Sequence, residues 1–129
     1  IYEDKDWPEG DKRWATMISK IDYQIGALID LVDSLGISEN TLILFLSDNG
    51  GGSGERIFYH DVRFFKSNGN FRGVKRDLFE GGIRVPFVAQ WTGAIPAGQV
   101  SNEPVAYYDI MATFEQLTGT KAPRTDGES

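Results

Sequence analysis

The chain has 129 residues, one domain's length, with an ordinary balance of apolar and charged side chains and a formal net charge of −6. That acidity argues against nucleic acid as a natural partner. The absence of cysteine excludes disulfides, thiolate metal sites and a thiol nucleophile within these residues, and no apolar run approaches the roughly 20 residues that span a bilayer.

In chain order, residues 1–11 are polar and carry Pro8 and Gly10, a loop that feeds a helix with Asp11 as its N-cap. Trp14, Met17, Ile18, Ile21, Ile25, Leu28, Ile29, Val32 and Leu35 then recur at three- and four-residue steps, the core-facing stripe of a long amphipathic helix. Gly36 stands where a left-handed C-terminal cap belongs. After a short turn at Ser38-Glu39-Asn40, Thr41 to Leu46 form a strand without alternation, buried on both faces as in the middle of a parallel sheet. Helix, turn and buried strand together predict an α/β fold.

Residues 49–82 hold more than half of the fifteen glycines and no clear period, so they form a long loop, of the kind that is either functional or disordered. Val85 to Trp91 is a second strand, and Ala106 to Leu117 a second helix ending at Gly119. Val105 and the Ile57–Phe65 stretch are candidates for short extra strands. Even so, the inventory is small for an independent α/β domain, and neighbouring strands are expected from sequence outside these residues.

Two stretches carry candidate chemistry. "LILFLSDNGG" runs a strand straight into Asp48 and Asn49. Open α/β sheets bind ligands at the carboxyl ends of their strands, and Asp and Asn offer the oxygens that Ca²⁺ or Mg²⁺ prefer. The same residues also suit an ordinary turn. "NGNFRGVKRDLFEGGIRVPF" puts Arg72, Lys75, Arg76 and Arg84 into one glycine-punctuated segment. Such cations suit a tetrahedral oxyanion, or else a solvated loop whose bases pair with Asp77 and Glu80.

In this order and spacing the two stretches resemble the sulfatase family of the alkaline phosphatase superfamily. "MISKIDYQIGALIDLVDSLGISENTLILFLSDNG" is similar to the helix and strand leading to that family's metal site, and "YYDIMATFEQLTG" to a later helix. The resemblance covers residues 14–119. It implies an alkaline phosphatase-like sandwich, a largely buried central sheet flanked by helices. By the same resemblance Asp48 and Asn49 are ligands of an active-site Ca²⁺, and Lys75 is a catalytic contact to the substrate's sulfate group. Glu80, Gly81, Gly82 and Arg84 match a motif that shapes the pocket wall.

The chain departs from the pattern at Arg76, where the family commonly has Gly, and at Trp91-Thr92-Gly93, where it commonly has Trp-Pro-Gly. Arg76 either narrows the pocket or adds an anionic substrate contact. His60, the only histidine, matches none of these motifs; it reads as a solvated loop residue, with a substrate-facing role as the alternative. Sulfatases use a formylglycine made from a Cys/Ser-x-Pro-x-Arg motif, which these residues lack.

The expectation is therefore the C-terminal portion of a sulfatase catalytic domain, residues 1–129, cut within the fold at both ends. Its Ca²⁺ site would be completed, and its nucleophile supplied, from outside this chain. A complete site in the glycine-rich loop, with Asp61 or Glu55, is the alternative for the metal. The expected partners are a sulfated small molecule or sulfated glycan and the remainder of the domain, in a periplasmic, secreted or lysosomal protein. The rival functions are a phosphate-ester or phosphonate hydrolase of the same superfamily, which one histidine fits poorly, and a non-catalytic remnant or binding module.

Overall fold

A computed structural model describes residues 1–52, 60–121, 123–124 and 126–129. It divides into two compact units, Ile1–Ala97 and Gly98–Ser129. The first unit holds helix α1 (Glu9–Ser34), a 3-10 turn (Ser38–Asn40), strand β1 (Ile43–Leu46), a one-turn helix α2 (Glu80–Ile83) and strand β2 (Phe87–Gln90). The second holds helix α3 (Tyr107–Thr118). Among the described residues no helix is long and apolar enough to cross a membrane.

α1 starts two residues before the expected cap. Pro8 is its N-cap, and the Pro8 carbonyl accepts the Asp11 and Lys12 N–H groups at 3.0 and 3.1 Å. Asp11 is thus inside the first turn, where its charge still suits the positive end of the helix dipole. The C-terminus follows the expectation. Gly36 has φ +68, its N–H donates to the Asp33 carbonyl (3.0 Å), and the Ile37 N–H donates to Val32 (3.3 Å). Those two bonds around a left-handed glycine are a Schellman motif. In the second unit Gly119 ends α3 in the same conformation (φ +66), and the Asp109 carboxylate accepts the Ala106 N–H at its start (2.7 Å).

The sheet corrects the parallel expectation. β1 and β2 pair antiparallel, with Ile43 opposite Gln90 and Leu46 opposite Phe87. The order strand, long loop, strand places β2 as a returning partner, which a run of apolar residues in β1 does not encode. The Trp91 indole N–H, donated to the Glu39 carbonyl (2.8 Å), ties the end of β2 to the 3-10 turn before β1. Val105 lies in an irregular segment, as do residues 60–65, while residues 57–59 lie outside the described residues.

Two strands cannot cover a 26-residue helix. Ile25, Ile29 and Val32 are half-buried above β1, but Leu28 and Leu35 remain about 60% exposed, at 62% and 61%. The α1 stripe is therefore only partly the core that its period predicts. Among the described residues Val62 is the one buried apolar side chain.

Two glycines in and after α1 test this local account. A Cβ at either Gly26 or Gly36 would meet nothing within 4 Å, but only Gly36 has positive φ. Gly26→Ala should raise stability by about 0.5–1 kcal/mol, since a helix-interior glycine loses more backbone entropy on folding. Gly36→Ala should lower it by about 1 kcal/mol. Urea denaturation of the two variants checks the opposite signs.

Candidate functional site

An open cleft of about 1430 Å³ in the first unit brings the candidate residues together. Asp48, Asn49, His60, Lys75, Arg76 and Arg84 all line it, with Trp7, Trp14 and Phe65 as aromatic wall. Five of them come from three separate pieces of chain: the end of β1, the start of the described loop at His60, and the turn at Lys75–Arg76.

Backbone contacts through glycine hold the first and third pieces together. The Gly50 N–H donates to the Gly82 carbonyl (2.9 Å), and the Lys75 N–H donates to Gly51 (2.9 Å). A Cβ on Gly50 would lie 1.9 Å from the Gly81 carbonyl oxygen. One on Gly81 would lie 2.1 Å from the Gly73 oxygen, and one on Gly82 would lie 2.2 Å from Asp77 and 2.5 Å from Val74. Only hydrogen fits at such distances. Asn68 completes the frame: its Oδ1 accepts the Gly51 N–H (2.8 Å), and its amide donates to the Gly73 carbonyl (3.0 Å). Sequence reading passed over Asn68, because a bridging amide in a loop has no period or motif to mark it.

The cations differ in how they are engaged. Arg84 pairs with Glu80 at 3.2 Å, in part as the solvated-loop alternative expected, and stacks over Phe71 at 4.7 Å. Arg72 lies 3.7 Å above the Phe79 ring. The Asp77 carboxylate takes the Val74 N–H (3.0 Å) rather than a basic side chain. The Lys75 and Arg76 side chains have no ion pair or hydrogen bond among the described residues. The Asp48 carboxylate is exposed and likewise without a partner there. Asn49 donates its amide to the Gly50 carbonyl (2.9 Å), and its side-chain oxygen has no partner among the described residues.

Asp48 and Asn49 together therefore offer unpartnered hard oxygens, a donor set that fits part of a Ca²⁺ shell but not the six to eight oxygens of a whole one. Among the described residues no group of three or more acidic, His or Cys side chains completes a metal site. Asp61 does not join it. Arg63 bonds its carboxylate through Nε and backbone N–H at 2.9 Å each, which holds the Asp61 carboxyl below the usual range. Glu55 lies outside the described residues.

His60 is the clearest correction. It is not solvated: 5% of its surface is exposed, and its Nδ1 donates to the buried Asp11 carboxylate at 2.7 Å. The imidazole stacks on Trp14 with ring centres 4.6 Å apart and planes 6° from parallel. The helix N-cap expected at Asp11 is thus a buried acceptor for a histidine 49 residues away. No local pattern announces such a pair.

The profile of the sulfatase family matches residues 4–120. Steryl-sulfatase of Rattus norvegicus is 36% identical over 106 residues, 82% of this chain and 18% of that protein. N-acetylgalactosamine-6-sulfatase of Rattus norvegicus is 38% identical over 111 residues, 86% of this chain and 20% of that protein. Among solved structures, Ps i-CgsB in complex with k-i-k-neocarrahexaose superposes with a TM-score of 0.81 at 29% identity, over 95% of this chain and 26% of that one. The PsFucS1 sulfatase from Pseudoalteromonas sp. superposes with a TM-score of 0.66 at 36% identity, over 78% of this chain and 19% of that one. The chain thus spans about a fifth of the length of its curated relatives.

The glycine frame predicts a sharp contrast between neighbours. Gly82→Ala drives a methyl into two backbone carbonyls and should lower stability by about 2 kcal/mol or more. Gly52→Ala, where a Cβ meets nothing within 4 Å, should stay within about 0.5 kcal/mol of the parent. Chemical denaturation of both variants makes the comparison.

Proposed function

Since this chain belongs to the sulfatase family, we propose that it is the C-terminal portion of a sulfatase catalytic domain and forms one wall of its active site. The whole enzyme hydrolyses sulfate esters. The observation that carries this reading is the convergence of Asp48, Asn49, Lys75 and Arg76 on one cleft. The β1–β2 ribbon and α1, with their uncovered apolar faces, suit a larger alkaline phosphatase-like sandwich whose central sheet is largely buried.

Family membership implies a metal cofactor, and we assign it as Ca²⁺. Asp48, through its carboxylate, and Asn49, through its side-chain oxygen, would hold the ion, with the remaining ligands drawn from outside this chain. Held there, the ion would supply positive charge to stabilise a sulfate anion. The nucleophile, a formylglycine, also comes from outside. Lys75 is the catalytic residue of this chain. Its ammonium is a point charge on a turn pinned to Gly51, preorganised to meet charge that develops on sulfate oxygens as the ester bond breaks. His60, fixed by Asp11, and Arg76 form the wall on which the rest of the substrate rests.

The substrate is a sulfated small molecule or a sulfated glycan; the superposition on a structure holding k-i-k-neocarrahexaose favours the glycan. A periplasmic, secreted or lysosomal setting goes with the family.

Two measurements test the reading. In the full-length enzyme, Lys75→Ala should lower kcat on an aryl sulfate about a hundredfold, the equivalent of roughly 3 kcal/mol of transition-state stabilisation. An effect of threefold or less would return Lys75 to the solvated-loop alternative. Calorimetric Ca²⁺ titration should give tight binding to the full-length protein, most of it lost in Asp48→Ala. The isolated 129-residue chain should bind no better than about millimolar, because water fills most of the shell. Undiminished binding in Asp48→Ala would make Asp48-Asn49-Gly50 only a turn.

A further inference from the structure

The turn that presents Lys75 holds an arginine in a conformation suited to glycine. The Asp77 N–H donates to the Val74 carbonyl (2.9 Å), closing a four-residue turn with Lys75 and Arg76 at its two centre positions. The Asp77 carboxylate closes it again by accepting the Val74 N–H at 3.0 Å. Arg76 has φ +85, the value that the third position of a type II turn requires and that glycine meets without penalty. A side chain there costs about 1–2 kcal/mol.

Nothing in the described fold uses that side chain. Arg13 pairs with Glu9, Arg63 with Asp61 and Arg84 with Glu80, while Arg72 covers Phe79. Arg76 has no ion pair, hydrogen bond or ring contact among the described residues, and it lines the cleft beside the equally unpaired Lys75. A sulfate monoester carries one negative charge, which Lys75 suffices to meet. Arg76 is a surplus cation, strained in place, on the same wall. Its planar fork of donors matches the oxygens of a tetrahedral anion.

We infer that Arg76 is a specificity determinant that binds a second sulfate group, so that the preferred substrate is a multiply sulfated glycan. This rests on the sulfatase reading above and deepens it. The strain then has a physical reason: glycine would relax the turn and lose the second anion.

The test uses the full-length enzyme and two oligosaccharides of one sugar backbone, one with a single sulfate and one with two. Arg76→Gly should raise the melting temperature and lower the ratio of kcat/KM, disulfated over monosulfated, about tenfold, mainly through KM. Arg76→Lys, which keeps the charge and loses the fork, should restore part of that ratio. Lys66→Gly is the control: Lys66 also has positive φ (+52) but does not line the cleft, so it should raise the melting temperature and leave the ratio alone. An Arg76→Gly enzyme that melts higher with an unchanged ratio would overturn the inference and leave the sulfatase reading standing. Failure of the unsubstituted enzyme to turn over either oligosaccharide would overturn both.

Discussion

The side of the cleft that carries Asp48 and Lys75 depends on one backbone-to-backbone approach, that of Gly50 against Gly81 and Gly82. The segment after β1 and the start of α2 are bonded Gly50 N–H to Gly82 carbonyl at 2.9 Å, and the Gly81 oxygen occupies the space where a Cβ of residue 50 would be. That contact fixes the metal-ligand candidates at the end of β1 relative to α2. The same α2 glycines receive the Lys75 turn from the other side, through the carbonyls of Val74 and Asp77. Three glycines thus join two distant loop segments into one surface, with Val62 the one buried apolar side chain among the described residues. The usual entropic penalty of glycine is offset here by what no other residue can do, which is let backbone amides and carbonyls meet at hydrogen-bond distance.

A frame of this kind leaves its candidate side chains unpartnered among the described residues and fixes the backbone that carries them. Asp48, Lys75 and Arg76 have no side-chain partners among the described residues, yet each follows or sits within a backbone segment tied by two or more hydrogen bonds. That suits side chains kept ready for a ligand, since any internal ion pair would have to be broken before binding. His60 shows the opposite arrangement. Its Asp11 bond and Trp14 stack lock the ring within the aromatic wall, so it behaves as a fixed surface rather than a mobile contact.

How far the sequence could be read depended on whether the decisive partner was near or far in the chain. Gly36 and Gly119 were legible as helix ends because capping is local: the bonds that require left-handed backbone join residues within six positions. Asp48 and Asn49 were legible as candidates at the carboxyl end of β1, where they line the cleft, because a strand's end is a property of the strand. The antiparallel return of β2, 44 residues or so after β1 in number but adjacent in space, left no trace in the β1 apolar run. The burial of His60 was invisible for the same reason, since its acceptor is Asp11 on the first turn of α1. Arg76 falls between the two cases. Its departure from the family's glycine was visible at once, but the reason glycine belongs there is a φ of +85, which only the folded turn reveals.

Charge adds a constraint on how such a cleft can attract an anion. These 129 residues carry −6, so their own distant field opposes an anion such as the sulfated substrate proposed above. At physiological salt that repulsion is screened over about 8 Å, whereas contacts at a few ångströms are not. A substrate anion must therefore be recognised at short range, by groups whose positions are set before it arrives. Arg84 cannot do this freely, because Glu80 already neutralises it. Lys75 and Arg76 can. Their adjacency on one doubly closed turn makes them a local pair of positive charges on an acidic molecule, held apart from the carboxylates that would otherwise quench them. On the proposed reading, selectivity for an anionic ligand comes from the geometry of that turn and not from the net charge of these residues.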